Sequence, residues 1–165
     1  MATILLVDDV ELFLQLERSF LEGDGHTVVT AASGEEALSR MEEVKPELLL
    51  LDLYMPGIDG DEVCRRLRAS KRWRKLPVIM VTAAGKDGEI RKCLTAGCDD
   101  YITKPVNKKE LIEKVGRLLG KVRMIGVPPL KWSTNWGRFA PSIGGPGDGW
   151  EAREARGYRH EAASG

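Results

Sequence analysis

In "ATILLVDDV", residues 2–10, four apolar residues from Ile4 to Val7 run straight into two carboxylates, Asp8 and Asp9. Asp52 follows "LLLL", Thr82 closes "PVIMVT", and Lys104 comes directly after "DDYIT". Ionised carboxylates brought close together repel, and their pKa values rise unless a cation compensates. An oxygen-only donor set with room for water suits a hard divalent ion such as Mg²⁺, and no His or Cys is placed to favour zinc. Lys104 offers a mobile point charge to a phosphoryl oxygen, and the Thr82 hydroxyl offers a neutral donor to another. Such a set suits phosphoryl transfer, which asks for in-line positioning and charge neutralisation, with a carboxylate such as Asp52 as the attacking nucleophile.

Those groups need elements to hold them. Residues 1–122 alternate short apolar runs ("TILLV", "HTVVTA", "ELLLLDL", "LPVIMVT", "DDYIT") with amphipathic stretches, which predicts five strands alternating with helices. Ser33 to Glu36, Asp59 to Glu62 and Asn107 to Glu110 each pair a polar cap with an acid three residues on, the spacing of a capping box. The last helix carries Leu111, Ile112, Val115, Leu118 and Leu119 on one face. Four of the strands are continuously apolar, as a parallel sheet covered by helices on both faces requires, so the fold class is a doubly wound α/β domain. In such sheets ligands bind beyond the carboxyl ends of the strands. If the first and third strands are neighbours, a separation of roughly 5 Å brings Asp9 and Asp52 within reach of one shared ion.

Composition restricts the remaining possibilities. With 25 basic and 25 acidic residues in 165, the chain has no overall field to attract nucleic acid or an anionic membrane, so partners must read local surfaces. Cys64, Cys93 and Cys98 are odd in number and match no CxxC spacing; they are expected as small buried hydrophobes in a reducing compartment. With no secretion signal and no apolar run long enough to span a bilayer, the expected location is cytoplasmic. After Val122 the character changes: residues 123–165 hold 8 Gly, 4 Pro and three of the four Trp without helical or strand periodicity. This segment is expected to be an irregular or disordered tail, although Trp132, Trp136 and Trp150 are atypical of linkers and suit docking on the domain or a partner.

The motifs "ILLVDDV", "LLLLDLYMPGIDG", "PVIMVTA" and "GCDDYITKPV" resemble the receiver domain of bacterial two-component response regulators, over about residues 2–122. The resemblance implies a flavodoxin-like (βα)5 fold with strand order 2-1-3-4-5. It also implies Asp52 as phosphoacceptor, with Asp9 and Asp52 as Mg²⁺ ligands, Asp8 acting largely through bound water, and the Tyr54 backbone carbonyl as a further ligand. By the same resemblance Thr82 and Lys104 contact the phosphoryl group, and the Lys104–Pro105 peptide is cis. Tyr101 takes the place of a switch aromatic that rotates inward when Thr82 is drawn toward the phosphoryl oxygen, reshaping the face made of the fourth helix, fifth strand and fifth helix. The fourth helix, "KDGEIRKCLTAG", contains Gly88 with Gly85 before it, and its first turn is expected to be easily remodelled.

Three positions depart from the family pattern. Glu17 stands where a core hydrophobe is usual, so the helix is expected to turn slightly and let Glu17 snorkel to solvent. The alternative is that Leu12 and Leu14 are exposed as an apolar patch for the phosphohistidine helix of a kinase. Tyr54, two residues past the phosphoacceptor, is placed to exclude attacking water. Ile90 occupies a position that is charged in the dimerising subfamily. With no helix-turn-helix output module, the expectation is a stand-alone receiver, or the receiver part of a longer protein, that is a monomer or a weak phosphorylation-dependent dimer.

Its partners would be a sensor histidine kinase or phosphotransfer protein and an unknown downstream protein, with no direct nucleic-acid or membrane contact. It would not be an enzyme beyond self-phosphorylation and slow self-dephosphorylation. Two other readings are an unphosphorylated receiver-like interaction module and an aspartyl-phosphate phosphatase. The phosphatase would need a DxD where this chain has Val10.

Overall fold

The computed structural model describes residues 1–83 and 87–123. Apart from Arg123, the expected tail lies outside the described residues, as does Gly85. Five strands, β1 (Thr3–Val7), β2 (Thr27–Ala31), β3 (Leu48–Asp52), β4 (Val78–Thr82) and β5 (Asp100–Thr103), alternate with α1 (Glu11–Gly23), α2 (Gly34–Val44), α3 (Gly60–Ala69), α4 (Asp87–Ala96) and α5 (Lys108–Arg123). The sheet is parallel throughout in the order β2-β1-β3-β4-β5. The doubly wound α/β class and the 2-1-3-4-5 order are as expected. No helix among the described residues is long and apolar enough to cross a membrane.

Side chains alternate across the sheet with period two, and this sorts the core into two layers. Ile4, Leu6, Leu48, Leu50, Ile79, Val81 and Ile102 pack with Leu14 and Leu21 of α1 and with Leu111, Val115, Leu118 and Leu119 of α5. Leu5, Val7, Leu49, Leu51, Val78, Met80 and Tyr101 pack with α2, α3 and α4 on the other face. Ile90 belongs to this second layer, so its lack of charge is a packing requirement. Cys64, Cys93 and Cys98 are free and buried, as expected. Burial pushes the Cys64 thiol up to about 11. A hydrogen bond with Cys93 and then burial push Cys98 further in the same direction.

At two of the three expected capping boxes the side-chain cap bond forms. Ser33 Oγ accepts from the Glu36 amide at 3.1 Å, and the Glu36 carboxylate accepts from Ala32 at 2.9 Å. Asn107 Oδ1 accepts from the Glu110 amide at 3.1 Å. Asp59 makes no cap bond; its carboxylate lies 3.6 Å from Lys92 of α4, an ion pair in place of the cap.

The expectations for α1 need correction. Leu14, Glu17 and Leu21 share one stripe at helical spacing, and that stripe faces the sheet. Leu14 is therefore core at 4 % exposure, and the exposed apolar residues are Leu12 at 70 % together with Val10 and Leu16. Glu17 does not snorkel: it is 1 % exposed, held inside by the phase of the helix.

Close approach also shapes the loop between β3 and α3. Gly57 takes a φ of 83°, a left-handed conformation that favours glycine. Gly60 donates its amide to Leu53 at 2.8 Å, and a Cβ there would lie 2.2 Å from the Asp52 carbonyl oxygen. Gly60→Ala is expected to force the loop off the end of β3 and lower stability by about 1–3 kcal/mol, the usual range for overpacking. Urea denaturation of the two chains measures it, and equal midpoints would show that the loop yields freely.

Candidate functional site

Strand register builds the site. Val7 of β1 pairs with Leu51 of β3, so the next residue on each strand, Asp8 and Asp52, stands at the same edge of the sheet. Asp9 follows at the surface, and Asp8, Asp9 and Asp52 each offer an oxygen within 4.8 Å of the others. Asp8 Oδ1 also accepts from the Val10 amide at 2.9 Å, which fixes the turn into α1.

The cation that this crowding demands is supplied by the chain itself. Lys104 Nζ donates to Asp8 Oδ2 at 2.8 Å, lies 3.4 Å from Asp52 Oδ1, and sits 4.1 Å from the centre of the Phe13 ring. The Lys104 amide is anchored to the Thr82 carbonyl at 2.8 Å, and the Lys104–Pro105 peptide is cis. Burial, then the charge of Asp8, push Asp52 up to about 6, with Asp9 adding to the rise and Lys104 opposing it. Burial pulls Lys104 down, but its hydrogen bond to Asp8 and the charges of Asp52 and Asp8 prevail, so its pKa is raised.

Thr82 and Tyr101 lie on the other side of the sheet. Alternation along β4 sends Met80, and so Thr82, toward α3 and α4. The Thr82 hydroxyl donates to Glu89 Oε2 of α4 at 2.7 Å. Tyr101 is 4 % exposed and already part of the core on that face, so the inward rotation implied by the resemblance has no exposed starting point here. Lys114 donates to the Tyr101 carbonyl at 2.5 Å and sits 5.1 Å from its ring centre.

Tyr54 is 45 % exposed, with Lys92 Nζ 5.0 Å from its ring centre. Lys92 also lies 3.6 Å from both Asp59 and Asp61, so α3 and α4 together hold the cation over Tyr54.

Sequence reasoning missed four contributors: Glu89, Lys92, Phe13 and Gly60. Only Gly60 carried a local signal, the glycine that ends "PGIDG" just before a helix. The others act across elements, and no spacing along the chain reports which helix face meets which strand end.

Glu17 completes the electrostatics. Its Oε1 is the single buried side-chain oxygen or nitrogen among the described residues without a hydrogen-bond partner. Burial first, then the charges of Asp8 and Asp52, push its carboxyl up to about 8, with Lys104 opposing. It is a protonated acid beneath the carboxylate cluster at neutral pH.

A family model described as the response regulator receiver domain matches residues 4–116. The chain is 41 % identical over 120 residues to the phosphate regulon transcriptional regulatory protein PhoB of Rhizobium meliloti, covering 73 % of this chain and 53 % of that protein. It spans about half the length of the transcriptional regulators it matches. The polar-differentiation response regulator DivK of Brucella ovis is 35 % identical over 118 residues, which cover 72 % of this chain and 96 % of DivK. A crystal structure of a putative response regulator from Chloroflexus aurantiacus superposes with a TM-score of 0.70 at 37 % identity, covering 72 % of this chain and 98 % of that one.

The burial of Glu17 sets a pH dependence. Folded, it keeps its proton up to about pH 8; unfolded, it releases it near 4.5. Between those values the folded state holds the extra proton, so Glu17 makes stability fall as pH rises. Asp52 acts with the same sign between 3.8 and about 6. Glu17→Gln is expected to flatten the decline in urea midpoint between pH 6 and pH 8, above the Asp52 window. Parallel declines in the two proteins would place an ionised Glu17 in the folded state.

Proposed function

Because the chain belongs to the response regulator receiver family, we propose that Asp52 accepts a phosphoryl group from a histidine of a sensor kinase or phosphotransfer protein and thereby resets a partner-binding face. The observation that carries this reading is the Lys104 ammonium shared between buried Asp8 and Asp52, with Asp9 completing an oxygen-only cluster. The donor set fits Mg²⁺: three clustered carboxylates without nitrogen or sulfur, one raised in pKa by its neighbours. Asp9 and Asp52 would hold the ion directly, Asp8 through water, and the Tyr54 carbonyl would add a fourth oxygen. Bound there, the ion would supply positive charge to neutralise the phosphoryl oxygens.

The residues of the chain do the rest. Above about pH 6 Asp52 is ionised and ready to attack. Its carboxylate oxygen forms the new bond to phosphorus as the bond to the donor histidine breaks, and the departing electron pair stays on the imidazole nitrogen. Lys104 holds one phosphoryl oxygen with a charge already stationed beside Asp52, and the Thr82 hydroxyl turns to another. Tyr54, kept over the entrance by Lys92, shields the acyl phosphate from water. Tyr101, on the same sheet face as Thr82, passes the change to α4, β5 and α5.

Receiver domains are signalling domains, and the chemistry proposed here is limited to self-phosphorylation and slow self-dephosphorylation. The protein works in the cytoplasm, where such donors act, as a monomer or weak phosphorylation-dependent dimer that addresses another protein. Every residue of the proposed site precedes residue 123. The phosphatase reading is disfavoured by Val10, an exposed helix cap where a second acid would be needed.

Acetyl phosphate with Mg²⁺ is expected to add one phosphoryl group, read by intact mass, and Asp52→Asn to abolish the addition. Unmodified wild type under those conditions would leave only the interaction-module reading. Tyr54→Ala is expected to shorten the lifetime of the acyl phosphate severalfold; equal lifetimes would remove the shielding role.

A further inference from the structure

Thr82 has one hydroxyl hydrogen to give, and it goes to Glu89 at 2.7 Å. The phosphoryl-transfer reading of Asp52 requires the same hydrogen for a phosphoryl oxygen. Both acceptors are anions, and one hydrogen does not serve both at full strength. We propose that Glu89 is a positioning residue that holds the Thr82 hydroxyl on the α4 side until a phosphoryl group on Asp52 displaces it, so that acyl phosphate formation and release of the first turn of α4 are a single exchange. The inference rests on the reading of Asp52 as phosphoacceptor and adds to it the group that must let go.

The surroundings make that release local. Glu89 is the third residue of α4, after exposed Asp87 and Gly88. A Cβ at Gly88 would meet nothing within 4 Å, so that residue contributes no packing to the turn, and glycine lowers helix stability there. Further along, Ile90 and Cys93 are buried, and Lys92 is paired with Asp59 and Asp61. The body of α4 is therefore held by packing and charge, whereas its first turn is tied to the end of β4 by the Glu89 carboxylate. A phosphoryl group competing for Thr82 acts at that tie, and its charge also repels the carboxylate it replaces.

The test reads amide hydrogen exchange across residues 91–94, whose amides donate to the carbonyls of the first turn of α4, in the unphosphorylated chain, for wild type, Glu89→Ala, Thr82→Ala and the double variant. Each single change is expected to speed exchange about tenfold to a hundredfold, the range of a lost hydrogen bond to a charged group, and the double variant to go no further than either. Glu89→Gln, which keeps an acceptor oxygen and guards against a folding defect in the alanine variant, is expected to fall between wild type and Glu89→Ala. Additive single effects, or unchanged exchange in correctly folded variants, would overturn the proposal.

In a second arm, acetyl phosphate and Mg²⁺ are expected to phosphorylate Glu89→Ala about tenfold faster than wild type; an equal rate would also overturn it. The two readings fail separately. Wild type that takes no phosphoryl group defeats the phosphoacceptor reading, whereas normal phosphorylation with unaltered exchange defeats only the role of Glu89.

Discussion

Two carboxylates buried on neighbouring strands cannot both be ionised without a positive charge between them, and much of the molecule is arranged around that constraint. The β1–β3 register brings Asp8 and Asp52 to the same edge. The loop after β5 returns Lys104 to them across most of the chain, with its backbone fixed to Thr82 and its side chain resting on Phe13. Even so, Asp52 stays above the usual carboxylate range, because a single ammonium shared with Asp8 does not offset both burial and repulsion. Behind it, Gly60 lets the loop between β3 and α3 close directly on the Asp52 backbone.

Alternation along the strands then divides the labour. Asp8, Asp52 and Lys104 act with Glu17 on the side of the sheet that α1 and α5 cover. Thr82 and Tyr101 belong to the side covered by α2, α3 and α4. The carboxylate–lysine cluster stands on one side of the sheet edge and Thr82 and Tyr101 on the other, each beside its own packed layer. On the proposed phosphoacceptor reading, a chemical event on the first face would reach the second through side chains whose direction is set by the pleat.

The succession of strands and helices, the two covering layers and the polar residues at the strand ends were legible in the sequence because each rests on a local regularity: apolar runs of strand length, polar residues at their ends, caps before helices. The sheet order, and with it the meeting of Asp9 and Asp52, came from the resemblance to receiver domains. What escaped were contacts whose partner lies on another element. Leu14 and Glu17 were misread because the departure from the family pattern suggested a rotated helix, whereas the stripe of Leu14, Glu17 and Leu21 kept the ordinary phase and carried the acid inward. Asp59 had the spacing of a cap, but Lys92 on the next helix offered a full charge in place of backbone amides. Glu89 gave no sign at all, since only the docking of α4 against the end of β4 brings it to Thr82.

The three thiols have a consequence of a different kind. With its pKa near 11, Cys64 presents about one thiolate in ten thousand at neutral pH, and Cys98 is pushed further the same way. All three sulfurs are also enclosed by the core. The native protein is thus chemically silent toward alkylating probes while folded. A cysteine introduced on the exposed side of α1, at Leu12 or Leu16, would be the reactive thiol on an otherwise unaltered background, giving an attachment point for a spectroscopic label beside the acidic edge.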